Sequence, residues 1–387
     1  MALSTTLTGF LGATTRARVH WDYWLLGAVL ALLALGLIMV YSASIAIAQR
    51  VAGSGFYFLT RHALAVAAGL LCMLLAMHSR VRLWQYLGPA LLIFGGVLLI
   101  AVLIPGVGLQ AHGSARWLSL GVVKFQPSEF MKLFMVVYVA GYLVRRQEGL
   151  RTFTQGILTM SFLLAVIGAL MLAEPDLGAV AVLCFTVFLM LFLGGVRFWH
   201  FLLVVGAGVS GMILLTIYWP YRMARVTSFL DPWADPFNSG FQLTQALIAF
   251  GRGEWLGVGL GGSVQKLAYL PAAHTDFVLA VLAEELGLLG VFAVIALFGV
   301  LIGRAFVIAR QAERHGQLYG ARLAQGLGVL LGLQAIINMG VNMGVLPTKG
   351  LTLPFLSYGG SSLVASCLAV GLLLRVERET HQRGVAT

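Results

Sequence analysis

The stretch Tyr23–Ala48, YWLLGAVLALLALGLIMVYSASIAIA, carries no charged side chain over 26 consecutive residues. A helix rises about 1.5 Å per residue, so roughly 20 such residues cross the hydrocarbon core of a bilayer. The apolar core of a signal peptide is shorter, about 7–15 residues. Arg16 and Arg18 precede the run, and Ser42-Ala43-Ser44 resembles a cleavage site only in having small residues. The run therefore reads as an uncleaved first membrane helix.

Working outward, comparable runs recur to the end of the chain, near 58–77, 86–104, 127–144, 155–173, 177–194, 199–218, 276–303, 319–343 and 356–374. With the first, they make ten spans. Only 10% of the residues are charged and 60% are hydrophobic. Soluble domains carry about 25% charged residues, so a soluble multidomain protein is excluded. The expected fold is all-α and polytopic. Residues 1–22 form a cytoplasmic N-terminal segment, 23–378 a ten-span membrane domain, and 379–387 a cytoplasmic tail.

The net charge is +11. In a soluble chain this would suggest nucleic acid. Here the basic residues lie between apolar runs, so no nucleic acid partner is expected and topology accounts for them. With both termini inside, the inner segments hold Arg16, Arg18, Arg80, Arg82, Arg145, Arg146, Arg151, Arg197, Arg304, Arg310, Arg314, Arg322, Arg375, Arg378 and Arg383. The short outer segments hold only Arg50, Arg61, Arg116, Lys124, Lys132 and Lys349. The long outer loop 219–275 adds Arg222, Arg225, Arg252 and Lys266, but long loops count little in this rule. Cys72, Cys184 and Cys367 each sit in an apolar run and read as packing residues, with no disulfide or metal spacing.

Ionisable groups at membrane depth are costly and point to function by default. His274-Thr275-Asp276 opens the span at 276. One reading is a helix start, with Thr275 as cap and Asp276 offsetting the dipole. The other is a carboxylate held where the long loop meets the bilayer, able to take a proton from a substrate hydroxyl. Ala280, Ala283, Gly287 and Gly290 follow at helical spacing and suggest close packing. Glu284 and Glu285 lie deeper; adjacent residues cannot share a helix face, so a structural ion pair is the favoured reading.

Gln126-Pro127-Ser128-Glu129 is an ordinary helix start, but Lys132 opposes the dipole, which an anionic ligand would explain, with Arg116-Trp117 nearby. Ser357 to Ser362 opens the last span either as a phosphate-favouring helix start or as small-residue packing, which composition favours slightly. The glycines at 251–262 have neither the strand nor the Gly-Lys-Ser/Thr of a nucleotide loop.

These motifs together resemble the SEDS family of cell-wall polymerases, which includes the FtsW, RodA and SpoVE branches. The likeness runs from the first span to the last. It rests on Gly113-Ser114-Ala115-Arg116-Trp117, Gln126-Pro127-Ser128-Glu129 with Lys132, Glu174-Pro175-Asp176-Leu177-Gly178 and Asp235-Pro236-Phe237. It continues through Ser263-Val264-Gln265-Lys266, Tyr269-Leu270-Pro271, His274-Thr275-Asp276-Phe277, Ala283-Glu284-Glu285-Leu286-Gly287 and Ser357-Tyr358-Gly359-Gly360-Ser361. Gln242-Leu243-Thr244-Gln245, Phe250-Gly251-Arg252-Gly253-Glu254 and Pro347-Thr348-Lys349-Gly350 look like the FtsW division branch rather than RodA.

The resemblance implies ten spans in the bacterial inner membrane. It implies a peptidoglycan glycosyltransferase using lipid II at the division septum, and a cognate class B penicillin-binding protein as partner within the divisome. It makes Asp276 the essential acid. Two departures stand out: Ala268 and Ala272 occupy positions commonly acidic in the family, and His112 stands where Asn is common. Fewer carboxylates near Asp276 weaken any carboxylate-rich metal site.

The resulting expectation has Asp276 as general base and Lys132 with Arg116 on the departing undecaprenyl diphosphate. Glu129, Lys266, Ser357 and Ser361 are secondary substrate contacts. A divalent cation, Mg²⁺ or Mn²⁺, is admissible on the phosphates; no protein metal ligand and no organic cofactor are expected. The competing readings are a lipid II flippase and a non-catalytic division scaffold.

Overall fold

The computed structural model describes residues 22–111, 114–121, 123–219, 223, 227–238, 240–267, 270–348 and 350–384. Arg16, Arg18, His112, Gly113, Arg222, Arg225, Ala268, Tyr269 and Lys349 lie outside the described residues. So do most of the 1–22 segment and the last residues of the tail.

The chain is a helical bundle. Helices α1 (Tyr23–Ala52), α2 (Tyr57–His78) and α3 (Val81–Leu103) are followed by α4 (Pro127–Arg145), α5 (Thr159–Ala173), α6 (Leu177–Leu193) and α7 (Phe198–Tyr218). Then come α8 (Phe241–Gly253), α9 (Val278–Arg314), α10 (Leu318–Asn342) and α11 (Gly360–Gly384). Among the described residues, eight helices are long and apolar enough to cross a membrane. Leu177–Leu193 and Phe198–Gly211 are shorter apolar helices. The chain is thus a multi-pass membrane protein, and the two short helices fit the remaining expected spans.

Three features differ from an all-helical expectation or refine it. Strands β1 (Gly108–Ala111), β2 (Ser114–Leu120) and β3 (Val123–Phe125) form a small antiparallel sheet between α3 and α4. Leu118 pairs with Gly108 on one side and Phe125 on the other. The run is too short and polar for helix periodicity to have signalled it. The apolar stretch in the long loop is α8, which buries Leu243, Thr244, Ala246 and Ala249 on one face. And α9 is not one continuous helix.

That break sits at Gly287, with φ 67° and ψ −169°. Only glycine adopts such a conformation cheaply. The segment Glu254–Gly259 runs alongside and supplies partners for the interrupted ladder. Val258 and Gly259 donate backbone N–H groups to the carbonyls of Glu284 and Glu285, at 3.0 Å each. Leu288 and Leu289 donate back to Glu254 and Trp255, at 2.9 and 3.2 Å. A Cβ on Gly253 or Gly257 would collide with the α9 backbone at Ala283 or Glu285. Part of the 251–262 glycine run is therefore a close backbone approach.

Glu284 and Glu285 meet the structural expectation. Glu284 receives Ser263 Oγ (2.5 Å), Val264 N (3.1 Å) and Arg252 Nη1 (3.2 Å). Glu285 receives Lys266 Nζ (2.7 Å) and Ser42 Oγ (2.6 Å). Every buried charge here has a counter-charge and donors, the condition under which a buried ion pair persists. The network ties α1, the long loop and α9 together.

Candidate active site

The turn between α5 and α6 is Glu174-Pro175-Asp176. Asp176 caps α6, accepting the Ala179 N–H at 3.2 Å. Its other oxygen accepts Ser128 Oγ at 3.4 Å and Gln126 Nε2 at 3.5 Å, both from the start of α4. Arg116 on β2 grips the same turn: Nε donates to the Glu174 carbonyl at 3.1 Å and Nη2 to the Pro175 carbonyl at 2.5 Å. The small sheet thus places one guanidinium against a turn bearing two acids.

The start of α4 holds Glu129 and Lys132, paired at 2.9 Å with side-chain exposures of 8% and 1%. Lys132 is sealed from solvent, so its role is charge rather than contact. Gln126 N–H donates to Ser361 Oγ at 2.9 Å, joining α4 to α11. Ser357 Oγ accepts the Leu353 N–H at 2.8 Å. Both hydroxyls are engaged in fixing the turn, and small residues do the packing: a Cβ on Gly359 would stand 3.1 Å from Thr352 Cγ2.

Asp276 stands two residues before α9. Thr275 does not cap that helix; its hydroxyl donates to the Ala272 carbonyl at 3.2 Å, and no side chain caps α9. What anchors the aspartate is its own carbonyl, which accepts Asn338 Nδ2 at 3.0 Å and Asn342 Nδ2 at 2.9 Å. Asn342 Oδ1 also takes the Ala280 N–H at 3.2 Å. The main chain is held this way, while the carboxylate is partly exposed, beside Gly350.

The electrostatics link these pieces. Burial pushes the Asp276 carboxyl up to about 6; Arg116 opposes the shift and Asp176 adds to it. Glu174, wholly buried and with neither carboxylate oxygen hydrogen-bonded among the described residues, is pushed up to about 8 by burial and by Asp176, against Arg116. Asp176 is raised as well, by burial. Burial lowers His274 to about 4, so it is neutral near pH 7. A carboxylate with its pKa moved toward neutrality and a cation in the same field suit proton abstraction at a site that also handles negative charge.

Arg116, Glu129, Lys132 and Asp276 converge on one region around the α5–α6 turn. Lys266 does not join them, because its ammonium is bound to Glu285. The sequence reading missed Glu174, Asp176, Asn338 and Asn342 as site residues. The acids marked the shortest break between two apolar runs, and the asparagines lie four apart, on one helix face. Among the described residues no three His, Cys, Asp or Glu side chains converge to hold a metal ion.

The profile of the FtsW/RodA/SpoVE family, described as cell cycle protein, matches residues 23–382. The chain belongs to this family. Among its relatives, the probable peptidoglycan glycosyltransferase FtsW of Nitrosococcus halophilus is 58% identical over 94% of this chain and 94% of its own length. The protein of the same description from Thioalkalivibrio sulfidiphilus is 56% identical, over 94% and 91%. A solved chain reported under the structural coordination of polymerization and crosslinking by a peptidoglycan synthase complex matches with a TM-score of 0.77. It is 32% identical and covers 94% of this chain and 99% of that one. The rod shape determining protein RodA of Thermus thermophilus matches at 0.67 and 29% identity, with the same coverage. Membership in the FtsW/RodA/SpoVE family accounts for the whole span of motifs from Arg116 to Ser361.

Proposed function

We propose that this FtsW/RodA/SpoVE family member is a peptidoglycan glycosyltransferase of the division type. It polymerises lipid II at the outer face of the inner membrane, at the septum, with both termini cytoplasmic. A cognate class B penicillin-binding protein serves as its transpeptidase partner within the divisome. The names of the FtsW relatives and the synthase complex among the structural neighbours support the activity and the partner. The arginine-rich inner segments support the orientation.

One observation carries the mechanism: Asp276 is a main-chain-anchored carboxylate, partly exposed, in the field of Arg116 and Asp176. Asp276 takes the proton from the acceptor sugar 4-hydroxyl. That oxygen forms a bond to the anomeric carbon of the donor as the carbon–oxygen bond to the diphosphate breaks, with inversion. The electron pair leaves on undecaprenyl diphosphate, whose charge Arg116 meets directly and the sealed Lys132–Glu129 pair biases from behind. Ser357 and Ser361 hold the turn that frames the site. A divalent ion, Mg²⁺ or Mn²⁺, enters only as a companion of the substrate diphosphate, and no step depends on it.

The test is glycan synthesis from purified lipid II with the transpeptidase present, comparing wild type with Asp276→Asn. Polymer from wild type and almost none from a folded variant is the expected result. Equal polymer from both would remove Asp276 from the chemistry. No polymer from either would turn the assignment toward lipid II translocation, measured in liposomes.

A further inference from the structure

A recess lies at the opposite end of α4 from the candidate site, between α3 and α4. It has a volume of about 600 Å³ and is lined by Arg82, Gln85, Tyr86, Pro89, Tyr138 and Arg145. At its base the helices nearly touch, since a Cβ on Gly88 would stand 3.6 Å from Tyr138 Cα. Pro89 has no N–H to give the carbonyl of Gln85 four residues earlier, so the α3 wall is locally more polar than a regular helix.

The two arginines are arranged alike. The Arg82 guanidinium lies 5.7 Å from the centroid of Tyr86, and that of Arg145 lies 5.9 Å from Tyr138. Arg145 folds back along α4, its Nη1 3.0 Å from where a Cβ on Gly141 would sit. Both side chains are exposed. At the same end of the bundle, Arg304, Arg322 and Arg375 are paired with Asp22, Glu313 and Glu379. Among the described residues, Arg82 and Arg145 have no carboxylate partner. Topology needs positive charge at this end, but it does not require two unpaired guanidiniums to line one cleft. Like charges on facing walls call for an anion between them.

We propose that this cleft binds the phosphate of a membrane lipid headgroup. Both guanidiniums present donors to the phosphate oxygens, and the tyrosine rings sit at the boundary between headgroup and acyl chain. The ligand class is a phosphate-bearing lipid carrying net negative charge. A bulk phospholipid such as phosphatidylglycerol and a polyprenyl phosphate share that chemistry.

Native mass spectrometry of the full chain in detergent tests this. The chain is incubated separately with phosphatidylglycerol, undecaprenyl phosphate and phosphatidylcholine. The expected result is retention of one or both net-anionic lipids and little phosphatidylcholine. Arg82→Gln/Arg145→Gln should weaken that retention on the order of 30-fold. Arg310→Gln/Arg314→Gln, with the same charge change at the same end, should bind as wild type does. Arg82→Lys/Arg145→Lys should keep most of the binding and shows that the fold survives substitution. Preferential retention of phosphatidylglycerol or of undecaprenyl phosphate identifies the source. Unchanged retention in the Gln pair, equal loss in the control pair, or equal binding of phosphatidylcholine overturns the proposal.

Discussion

Two groups of acids in this bundle are treated oppositely. Glu284 and Glu285 are saturated with donors and counter-charges from Arg252, Ser263, Lys266 and Ser42. Around the α5–α6 turn, Glu174 has no hydrogen-bond partner on either oxygen among the described residues, and Asp276 keeps its carboxylate partly exposed while its carbonyl is anchored. A saturated acid is a structural fastener: its free energy lies in its partners. An unsaturated acid with a raised pKa is poised to exchange a proton or meet a ligand. Burial alone does not separate the two classes; the count of donors does.

The comparison breaks first at Asp276. Asp276→Asn should cut polymerisation on the order of 10²–10⁴-fold while leaving thermal unfolding close to wild type. At the fastener the effect should reverse. Lys266→Met strands a buried carboxylate and should cost about 3–5 kcal/mol of stability, read by thermal or denaturant unfolding in detergent. A stable Lys266→Met protein with lost activity would place the lysine among the substrate contacts. Next, Gly257→Ala should destabilise by about 2 kcal/mol, because its φ of +78° disfavours a side chain and its Cβ meets the Glu285 carbonyl. Unfolding curves for this variant test whether the loop is clamped to α9.

The finer tests read pH. With Asp276 titrating near 6, the polymerisation rate should rise through about pH 6 and level off above it. Asp176→Asn removes a charge that raises this pKa, so the acid limb should move to lower pH. Arg116→Gln removes one that lowers it, so the limb should move to higher pH. Limbs that stay fixed in both variants would disconnect the three groups.

The smallest effect should come from Glu174→Gln. With its pKa raised to about 8, the native carboxyl binds a proton that the unfolded chain has released, and wild-type stability should fall as pH rises from about 4.5 toward 8. The glutamine should flatten that slope and cost little stability or activity at pH 7. A large loss at pH 7 would mean that Glu174 works as an anion.

The bundle was legible because apolar length and basic asymmetry are one-dimensional signals, and Tyr23–Ala48 alone implies a span. Asp276 was legible as a charge at a helix entrance. Its anchors were not, because Asn338 and Asn342 belong to a span some sixty residues later in the chain, and side chain to carbonyl bonds leave no periodicity. Lys266 looked available only because its partner, Glu285, cannot be paired with it from spacing alone. The break in α9 was also hidden: Gly287 fitted a small-residue stripe, and a stripe predicts close packing without revealing that the closest neighbour is a loop backbone.

Two contacts of α1 carry a consequence for biosynthesis. Asp22 at its start pairs with Arg304 at 2.7 Å, and Ser42, two-thirds of the way along, donates to Glu285 at 2.6 Å. Both partners belong to α9, one on each side of the break. These two α1 contacts therefore form only after α9 has been inserted. A chain released before residue 285 lacks both of these fasteners, and Ser42 is left with Lys266 alone, at 2.9 Å. Assembly is closed by a late helix, which makes completeness of translation a condition for a settled fold.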